Sequence, residues 1–348
     1  MSVYMDRRYL SLRPYTPGEQ PQEKKYIKLN TNENPYGPSP LVQKAIQNEA
    51  SRLNLYSDPE CGVFLRAFAG FLGVGEKQVF ASNGSDEVLA FIFQAFAENG
   101  VAFADLTYGF YPVYADLYDV DVKVVPLKED FTLCPEDYYN LGRTIVIANP
   151  NAPTGLAAGV QEIRGILEHN RGSLVVIDEA YVDFGSESTV SLLSEYDNLL
   201  IVGTFSKSRS LAGARLGYAV ASEELIAGLN RIKFSFNPYN VNRMTLAAGA
   251  AAVGDNVWFE KARDEIVKTR EFTIETLREM GFSCTDSKAN FIFTRHPHKS
   301  GKEIFQKLRE AGILVRRFDG ERTADWLRVT VGTEDEMSEF ISALREIE

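Results

Sequence analysis

The sequence predicts an α/β protein whose large domain holds a mostly parallel sheet covered by helices on both faces, followed by a smaller α+β carboxy-terminal domain. Three observations predict this architecture. Short apolar stretches alternate with stretches of helical periodicity. The apolar stretches are nearly continuous, which is typical of parallel strands buried on both faces. The length of 348 residues exceeds the roughly 150 residues of an average domain and favours two domains.

The predicted elements of the large domain follow in order along the chain. Residues 78–83 form the first predicted strand. In the next stretch, 85–99, Val88, Ile92 and Phe96 recur at three- and four-residue spacing, which predicts one buried face of a helix. The further predicted elements are strands at residues 101–105, 144–150, 173–181 and 199–207 and a helix over 160–170.

The character of the sequence changes after residue 240. A long charged helix is predicted over 258–281, and shorter strands then alternate with helices in an α+β pattern. These elements are strands at 290–295, 313–318 and 327–332 and helices over 302–311 and 334–347. We therefore predict three segments, which are an amino-terminal arm (1–34), a large domain (35–240) and a small carboxy-terminal domain (241–348).

Composition and charge exclude several classes of protein. With 37 basic and 48 acidic residues the net charge is −11, which disfavours a broad nucleic-acid or anionic-membrane surface. An apolar content of 45% excludes a disordered chain. No apolar run approaches the ~18 residues that a membrane-spanning helix needs, and the first residues lack the apolar centre of a signal peptide. We expect a cytoplasmic protein with no nucleic-acid or membrane partner.

Cysteine and histidine give no sign of a metal site. Cys61, Cys134 and Cys284 are odd in number and far apart, which fits neither a disulfide framework nor a CxxC site. The pair His296 and His298 has no cysteine or acid beside it. We expect no bound metal.

Polar residues follow four of the predicted strands. They are Gly84-Ser85-Asp86, Asn149-Pro150-Asn151, Asp178-Glu179-Ala180-Tyr181 and Ser206-Lys207. Ligands of an open parallel sheet bind outside the carboxyl ends of its strands. The sequence therefore predicts one ligand site built from all four strand ends.

Gly84-Ser85-Asp86 joins a strand to the start of a helix. The N–H groups and dipole of such a start can hold a phosphate, although Ser85 or Asp86 can equally be an ordinary helix cap. Arg215 lies among small residues that allow close backbone approach, which favours an anion clamp.

Asp178 and Lys207 each have a structural and a chemical interpretation. Asp178 follows an apolar run and needs a partner, since a buried unpaired carboxylate is costly. That partner is either a protonated pyridine nitrogen or a salt bridge within the protein. Lys207 at a strand end is either a nucleophile that bonds a carbonyl compound or a solvated surface lysine. Tyr181 either covers the same ligand or belongs to the core.

Arg316 and Arg328 occur within apolar predicted strands, where arginine is unexpected without an anionic partner. The guanidinium group binds carboxylate or phosphate in a bidentate manner. A structural ion pair with Glu321 or Asp325 is the alternative.

Together these residues resemble the fold-type-I pyridoxal-phosphate aminotransferases, and most closely the histidinol-phosphate aminotransferase family. The resemblance implies an aspartate-aminotransferase-like fold, pyridoxal 5'-phosphate bound by the large domain, and a homodimer with shared sites. The matching stretches run in family order over nearly the whole chain, and they are LNTNENPYGPSP (29–40), SNGSDE (82–87), TYGFYPVY (107–114), NPNAPTG (149–155), DEAY (178–181), TFSKSRSLAGARLGY (204–218), NPYNVN (237–242) and LRVTVGT (327–333).

The resemblance also implies roles for single residues. Lys207 matches the lysine that bonds the cofactor and shuttles a proton, and Asp178 matches the partner of its ring nitrogen. Tyr181 matches the hydroxyl beside the cofactor's O3'. The other implied cofactor contacts are Ser85, Ser206 and Arg215 with the backbone of Gly84 and Asp86 at the phosphate, Tyr108 stacked on the ring, and Tyr56 reaching the neighbouring subunit's phosphate.

Four residues are implied at the substrate. Arg328 matches the arginine that binds the α-carboxylate, and with Arg316 it would hold a substrate phosphate. Tyr15 matches an arm residue near the partner's substrate, and Asn34 belongs to the first matching stretch.

The chain departs from the family pattern before Pro-Thr-Gly. The family's usual O3'-bonding asparagine is replaced by Ala152, and Asn151 is the candidate substitute. Leu106 also stands where the family usually has proline.

The implied reaction is transamination between histidinol phosphate and 2-oxoglutarate, with glutamate as the second amino acid, in histidine biosynthesis. Three alternatives remain at this point. They are a threonine-phosphate-type decarboxylase, an aromatic amino acid aminotransferase and a non-catalytic pyridoxal-phosphate-binding module.

Overall fold

The computed structural model describes residues 4–21 and 25–347. The strands are β1 (Ile27–Lys28), β2 (Val79–Asn83), β3 (Val101–Ala104), β4 (Val122–Val125), β5 (Thr144–Ala148), β6 (Val175–Asp178), β7 (Leu199–Thr204), β8 (Leu216–Ala221), β9 (Ser283–Cys284), β10 (Phe291–Arg295), β11 (Ile313–Leu314), β12 (Arg316–Arg317) and β13 (Leu327–Thr330). The α-helices are α1 (Pro40–Ala50), α2 (Gly62–Leu72), α3 (Ser85–Ala95), α4 (Tyr111–Tyr118), α5 (Val160–Glu168), α6 (Glu223–Phe236), α7 (Arg243–Gly254), α8 (Asn256–Glu279), α9 (Gly301–Glu310) and α10 (Glu334–Ile347).

The main sheet has seven strands in the order β2-β8-β7-β6-β5-β3-β4. β8 is antiparallel to both of its neighbours, and the other pairs are parallel. The six strands other than β8 consequently point the same way. The polar residues that follow β2, β5, β6 and β7 therefore meet at one edge of the sheet, as predicted.

Helices cover both faces of this sheet, because its strands carry apolar side chains on both faces. Alternate residues of β5 enter different cores, with Ile145 and Ile147 on one face and Val146 and Ala148 on the other. Helices α2, α5 and α7 contribute to the first core, and α3, α4 and α6 to the second. Because both faces of the sheet are buried, the residues that point to either face must be apolar. The predicted α/β class with two covered faces is confirmed.

A second sheet lies in the carboxy-terminal region. Its four antiparallel strands have the order β12-β13-β10-β9, and they share a core with α8, α9 and α10. The strand predicted over 313–318 is divided. Ile313–Leu314 pairs with β1 from the amino-terminal arm, whereas Arg316–Arg317 pairs with β13. The chain changes partners at Val315, and each short strand completes a different sheet.

The boundaries at residues 34 and 240 stay predictions. β1 lies within the predicted arm and pairs with the carboxy-terminal β11, while α7, beyond residue 240, packs against α1 and α2. Among the described residues, no helix is both long enough and apolar enough to cross a membrane.

Candidate active site

A cleft of about 100 Å³ lies at the carboxyl edge of the seven-stranded sheet. Eight predicted site residues line it, namely Ser85, Asp86, Tyr108, Asp178, Tyr181, Ser206, Lys207 and Arg215, together with Ala148, Pro150, Ala152, Ala180 and Thr204. They come from the ends of β2, β5, β6 and β7, from the segment between β3 and α4 (Tyr108), and from the segment before β8. The convergence that the sequence predicts is therefore present in the fold.

One end of the cleft is built from the start of α3 and the chain before β8. Arg215 Nη2 lies 3.1 Å from Asp86 Oδ2, and the Tyr108 hydroxyl donates to Asp86 Oδ1 at 2.9 Å. The Thr204 hydroxyl donates to Ser206 Oγ at 2.9 Å and accepts from the Ser206 N–H at 3.1 Å. A helix N-terminus, two hydroxyl groups and an arginine thus face the same space, which is the donor set that an anion requires.

Asp178 lies elsewhere in the cleft at the end of β6 and is 5% exposed. The Tyr111 hydroxyl donates to Asp178 Oδ2 at 2.8 Å, and the Ala180 N–H donates to Oδ1 at 3.2 Å. Burial raises the pKa of Asp178 from 3.8 to about 6, although both hydrogen bonds act in the opposite direction. No basic side chain in the described parts of the chain forms an ion pair with Asp178 within 4 Å, so the salt-bridge interpretation is not met.

The raised pKa of Asp178 makes the stability of the cofactor-free protein depend on pH. Because the folded protein binds the Asp178 proton more tightly than the unfolded chain, this carboxyl's stabilisation is complete below pH 3.8 and is lost as pH rises to about 6. We expect the free energy of unfolding of the wild type, relative to Asp178→Asn, to fall by about 1–3 kcal/mol over that window. Urea unfolding of both proteins across this range measures the change; a constant difference would contradict it.

Lys207 follows β7 and enters the middle of the cleft. Its Nζ lies 3.4 Å from the Thr31 carbonyl oxygen and 5.8 Å from the centre of the Tyr181 ring. The Asn34 side-chain amide donates to the Lys207 and Ser208 carbonyls at 3.0 and 3.2 Å. Asn34, predicted at the substrate, therefore holds the backbone that carries the lysine.

Tyr181 is fixed by a contact that the sequence does not predict. The Asn32 Nδ2 donates to the Tyr181 hydroxyl at 2.9 Å, and Asn32 is itself held by Thr330 of β13. Asn32 is 1% exposed and adopts a positive φ of 55°. This asparagine belongs to the first matching stretch, yet its partner is 149 positions away.

Arg316 and Arg328 stand directly opposite each other on β12 and β13. Arg328 Nη2 donates to the Asn30 carbonyl at 3.2 Å, and its guanidinium carbon lies 5.4 Å from the Phe291 ring centre. That ring in turn packs edge-on against Tyr181 at 5.1 Å. Burial lowers the pKa of Arg328, and the charge of Arg316 lowers it further. Two like charges held face to face favour an anion between them.

The predicted structural alternative for this pair is absent. Within residues 4–21 and 25–347, neither arginine forms an ion pair with an acid, and Asp325 instead accepts a hydrogen bond from the Gly301 N–H at 3.1 Å. Arg316 donates to the carbonyls of Thr16 and Pro17 in the arm at 2.9 and 3.2 Å. The arm thus lies against the arginine pair.

Tyr15, Tyr56 and Asn151 lie outside the lining of the cleft. Tyr15 stacks on Phe110 of its own chain at 4.5 Å and lies 6.3 Å from Tyr108. Tyr56 is 79% exposed. The Asn151 amide donates to the Leu106 carbonyl and to Thr154, at 3.0 and 3.1 Å. The side chain of Asn151 is therefore engaged elsewhere, and Ala152 occupies the cleft wall.

Comparison with known proteins decides the family. Residues 24–344 match the model of the aminotransferase class I and II family. A histidinol-phosphate aminotransferase from Clostridium acetobutylicum is 50% identical over 99% of this chain and 99% of that protein. The chain belongs to the class I and II aminotransferases.

Solved structures show the same fold in other aminotransferases. A histidinol-phosphate aminotransferase from Sinorhizobium meliloti, in complex with pyridoxal-5'-phosphate, superposes with a TM-score of 0.84 and 24% identity, covering 93% of this chain and 91% of that one. Aspartate aminotransferase from Thermotoga maritima superposes with a TM-score of 0.81 and 21% identity, covering 93% and 92%. The predicted family and the aspartate-aminotransferase-like fold are confirmed.

The cofactor of class I and II aminotransferases is pyridoxal 5'-phosphate, and the cleft of this aminotransferase fits it. At the anion-binding end of the cleft, formed by the start of α3 and Arg215, the backbone packs closely around two glycines. A Cβ on Gly84, whose φ is +76°, would lie 2.3 Å from Arg215 Nη2, and a Cβ on Gly217 would lie 2.3 Å from the Gly84 carbonyl carbon. Glycine is required at Gly84 by the positive φ and at Gly217 by its contact with the backbone that begins α3. Elsewhere in the cleft, the buried Asp178 carboxylate suits a protonated ring nitrogen.

The sequence does not single out Thr204, which lines the cleft, or Thr31, Asn32 and Tyr111, which contact residues that line it. All four lie inside matching stretches, so the motifs indicate their neighbourhood. The cleft partners of Thr31, Asn32 and Tyr111 are remote in sequence, and no local spacing identifies them.

Proposed function

We propose that this aminotransferase uses pyridoxal 5'-phosphate to exchange an amino group between histidinol phosphate and 2-oxoglutarate, with glutamate as the co-product. The names of relatives near 50% identity over the full length support the substrate. The structural observation that carries the proposal is the opposed pair Arg316 and Arg328. Without an acidic partner in the described chain, it suits the carboxylate of glutamate in one half-reaction and the phosphate of histidinol phosphate in the other.

The cofactor contacts follow from the residues of the cleft. Ser85, Ser206 and Arg215 would bind the phosphate, and Asp178 would accept the ring N–H. Tyr108 would cover the ring, and Tyr181 would donate to the ring oxygen. Bound pyridoxal phosphate supplies an electron sink for the substrate Cα. Lys207 would hold the cofactor aldehyde and then move a proton at the substrate Cα, for which its flexible side chain is suited.

The substrate is proposed to lie between the cleft and the arginine pair. Arg328, half-buried and packed over Phe291, would bind the carboxylate, since a partly desolvated guanidinium binds anions more strongly than a fully hydrated one. Arg316 would add to the binding of the phosphate. Its present partners are backbone carbonyls of the arm, which a phosphate would replace. Tyr15, beside Tyr108, would close the site from the arm.

A homodimer with shared sites is the proposed assembly, in the cytoplasm. Tyr56 is 79% exposed and stacks on Tyr239 at 4.5 Å. Other exposed apolar side chains lie close in sequence to Tyr56 or to Tyr239, including Leu53, Leu55 and Phe236. A second copy of the chain would cover this surface, and Tyr56 would reach the phosphate of that copy's cofactor.

The role of Tyr56 gives a direct prediction. In Tyr56→Phe we expect cofactor affinity to fall by about 10- to 100-fold, because a hydrogen bond to a charged group contributes about 1.5–3 kcal/mol, while sedimentation still reports a dimer. Tyr239→Phe, which keeps the stacked ring, is the matched control and should bind cofactor normally. A monomeric wild type, or equal losses in both variants, would contradict the shared site.

The proposed reaction is tested by half-reaction spectroscopy. The cofactor-loaded protein is mixed separately with histidinol phosphate, glutamate, phenylalanine and threonine phosphate, while absorbance, keto product and CO₂ are measured. We expect rapid conversion with the first two and a keto product without CO₂. Release of CO₂ from threonine phosphate, or a preference for phenylalanine over histidinol phosphate, would reject the proposal in favour of a decarboxylase or an aromatic aminotransferase. No spectral change with any amine would indicate a non-catalytic binding protein.

A further inference from the structure

Tyr111 carries a buried hydroxyl group that has no role in the proposed reaction. It begins α4, is 0% exposed and donates to Asp178 Oδ2 at 2.8 Å. Burial and the adjacent Asp178 carboxylate raise the pKa of Tyr111 well above 10. The phenol therefore stays protonated and acts as a permanent donor to the carboxylate.

Aromatic packing holds the Tyr111 hydroxyl in place. The ring centre of Tyr111 lies 5.7 Å from that of Tyr108, 5.9 Å from that of Phe103 and 6.5 Å from that of Phe93. The other oxygen of Asp178 accepts from the Ala180 N–H. With one donor on each oxygen, the carboxylate cannot rotate without losing a buried hydrogen bond, which costs about 1–3 kcal/mol.

We propose that Tyr111 is a positioning residue that keeps Asp178 ionised and oriented, so that the proton shared with the cofactor's ring nitrogen stays on the nitrogen. The inference rests on the proposed role of Asp178. It extends that role, because it assigns the control of the proton to a residue that does not line the cleft.

The direction of the effect follows from elementary electrostatics. Burial alone disfavours the carboxylate and would move the shared proton from the ring nitrogen to Asp178. A hydrogen bond donated to the charged form favours that form. The Tyr111 hydroxyl therefore opposes burial, and a protonated ring withdraws electrons more strongly than a neutral one. Without the hydroxyl, the carboxylate is a stronger base and the ring loses part of its charge.

The test is Tyr111→Phe, which removes the hydroxyl and keeps the packed ring. The variant is loaded with pyridoxal phosphate labelled with ¹⁵N in the ring, and NMR reports the protonation of that nitrogen. We expect its signal to move toward that of neutral pyridine, and kcat to fall about 10-fold, as loss of a hydrogen bond to a charged group predicts, with KM for glutamate within about twofold. Tyr138→Phe is the matched control, since Tyr138 is 1% exposed and its hydroxyl has no partner in the described chain.

The outcomes separate this inference from the proposed function. If Asp178→Asn moves the ¹⁵N signal and Tyr111→Phe leaves it at the wild-type position, the role of Tyr111 is overturned and that of Asp178 stands. If neither substitution moves it, the role of Asp178 fails first. Should Tyr111→Phe not fold, 3-fluorotyrosine at position 111 provides a stronger donor. The signal should then move further toward the protonated ring, and an unchanged signal would overturn the inference.

Discussion

Lys207→Ala should reduce transamination by about 10⁴-fold or more, because one side chain supplies both the covalent attachment of the cofactor and the proton transfer at Cα. Nζ of Lys207 is placed for both tasks, since it lies in the cleft that Asp178 and Tyr181 also line. The loss should appear in kcat, and the variant should still bind pyridoxal phosphate through the anion-binding end of the cleft.

Borohydride reduction and peptide mapping test this prediction without relying on activity. Treating the cofactor-loaded wild type should attach the cofactor to the peptide that contains Lys207, and Lys207→Ala should take up no label. Lys28→Ala is the matched control. Lys28 lies shortly before Thr31, whose carbonyl oxygen is near Lys207 Nζ, but its own ammonium group pairs with Glu33 at 2.7 Å. Labelling of another lysine in the wild type would contradict the assignment of Lys207.

The second large effect is expected at the arginine pair. Arg328→Ala should lower kcat/KM by about 10²–10³-fold in both half-reactions, since loss of a buried charged contact costs about 2–5 kcal/mol. Arg316→Ala should lower kcat/KM for histidinol phosphate more than for glutamate. The two arginines are expected to differ because Arg328 packs over Phe291 beside Tyr181, whereas Arg316 is bound to the arm carbonyls.

Arg317→Ala is the control for this pair. It neighbours Arg316 on β12 but pairs with Asp319, and the residue opposite it on β13 is Leu327. We expect nearly unchanged kinetics for both substrates in this variant. Equal losses for glutamate and histidinol phosphate in Arg316→Ala would refute the division of labour between the two arginines.

Much of the site was predictable because the sequence places its chemistry at strand ends. Strand direction is shared by β2, β5, β6 and β7, so Ser85, Asp178 and Lys207 had to meet once the sheet was parallel. The resemblance to a known family then supplied the roles. Two side chains that were expected at the substrate and at the cofactor, those of Asn34 and Asn151, have other partners in the structure. Asn34 holds the Lys207 backbone, and Asn151 bonds Leu106 in place of lining the cleft.

Local sequence by itself determined the α/β class, the order of most elements and the residues at the sheet edge, because hydrophobic periodicity and helix boundaries depend on neighbours in the chain. Only the tertiary structure decided which remote side chains touch. Tyr111 meets Asp178 across 67 positions, Asn32 meets Tyr181 across 149, and Arg316 faces Arg328 through a strand register. Such contacts depend on how helices pack on the sheet and how strands pair, and no spacing within a single segment encodes them.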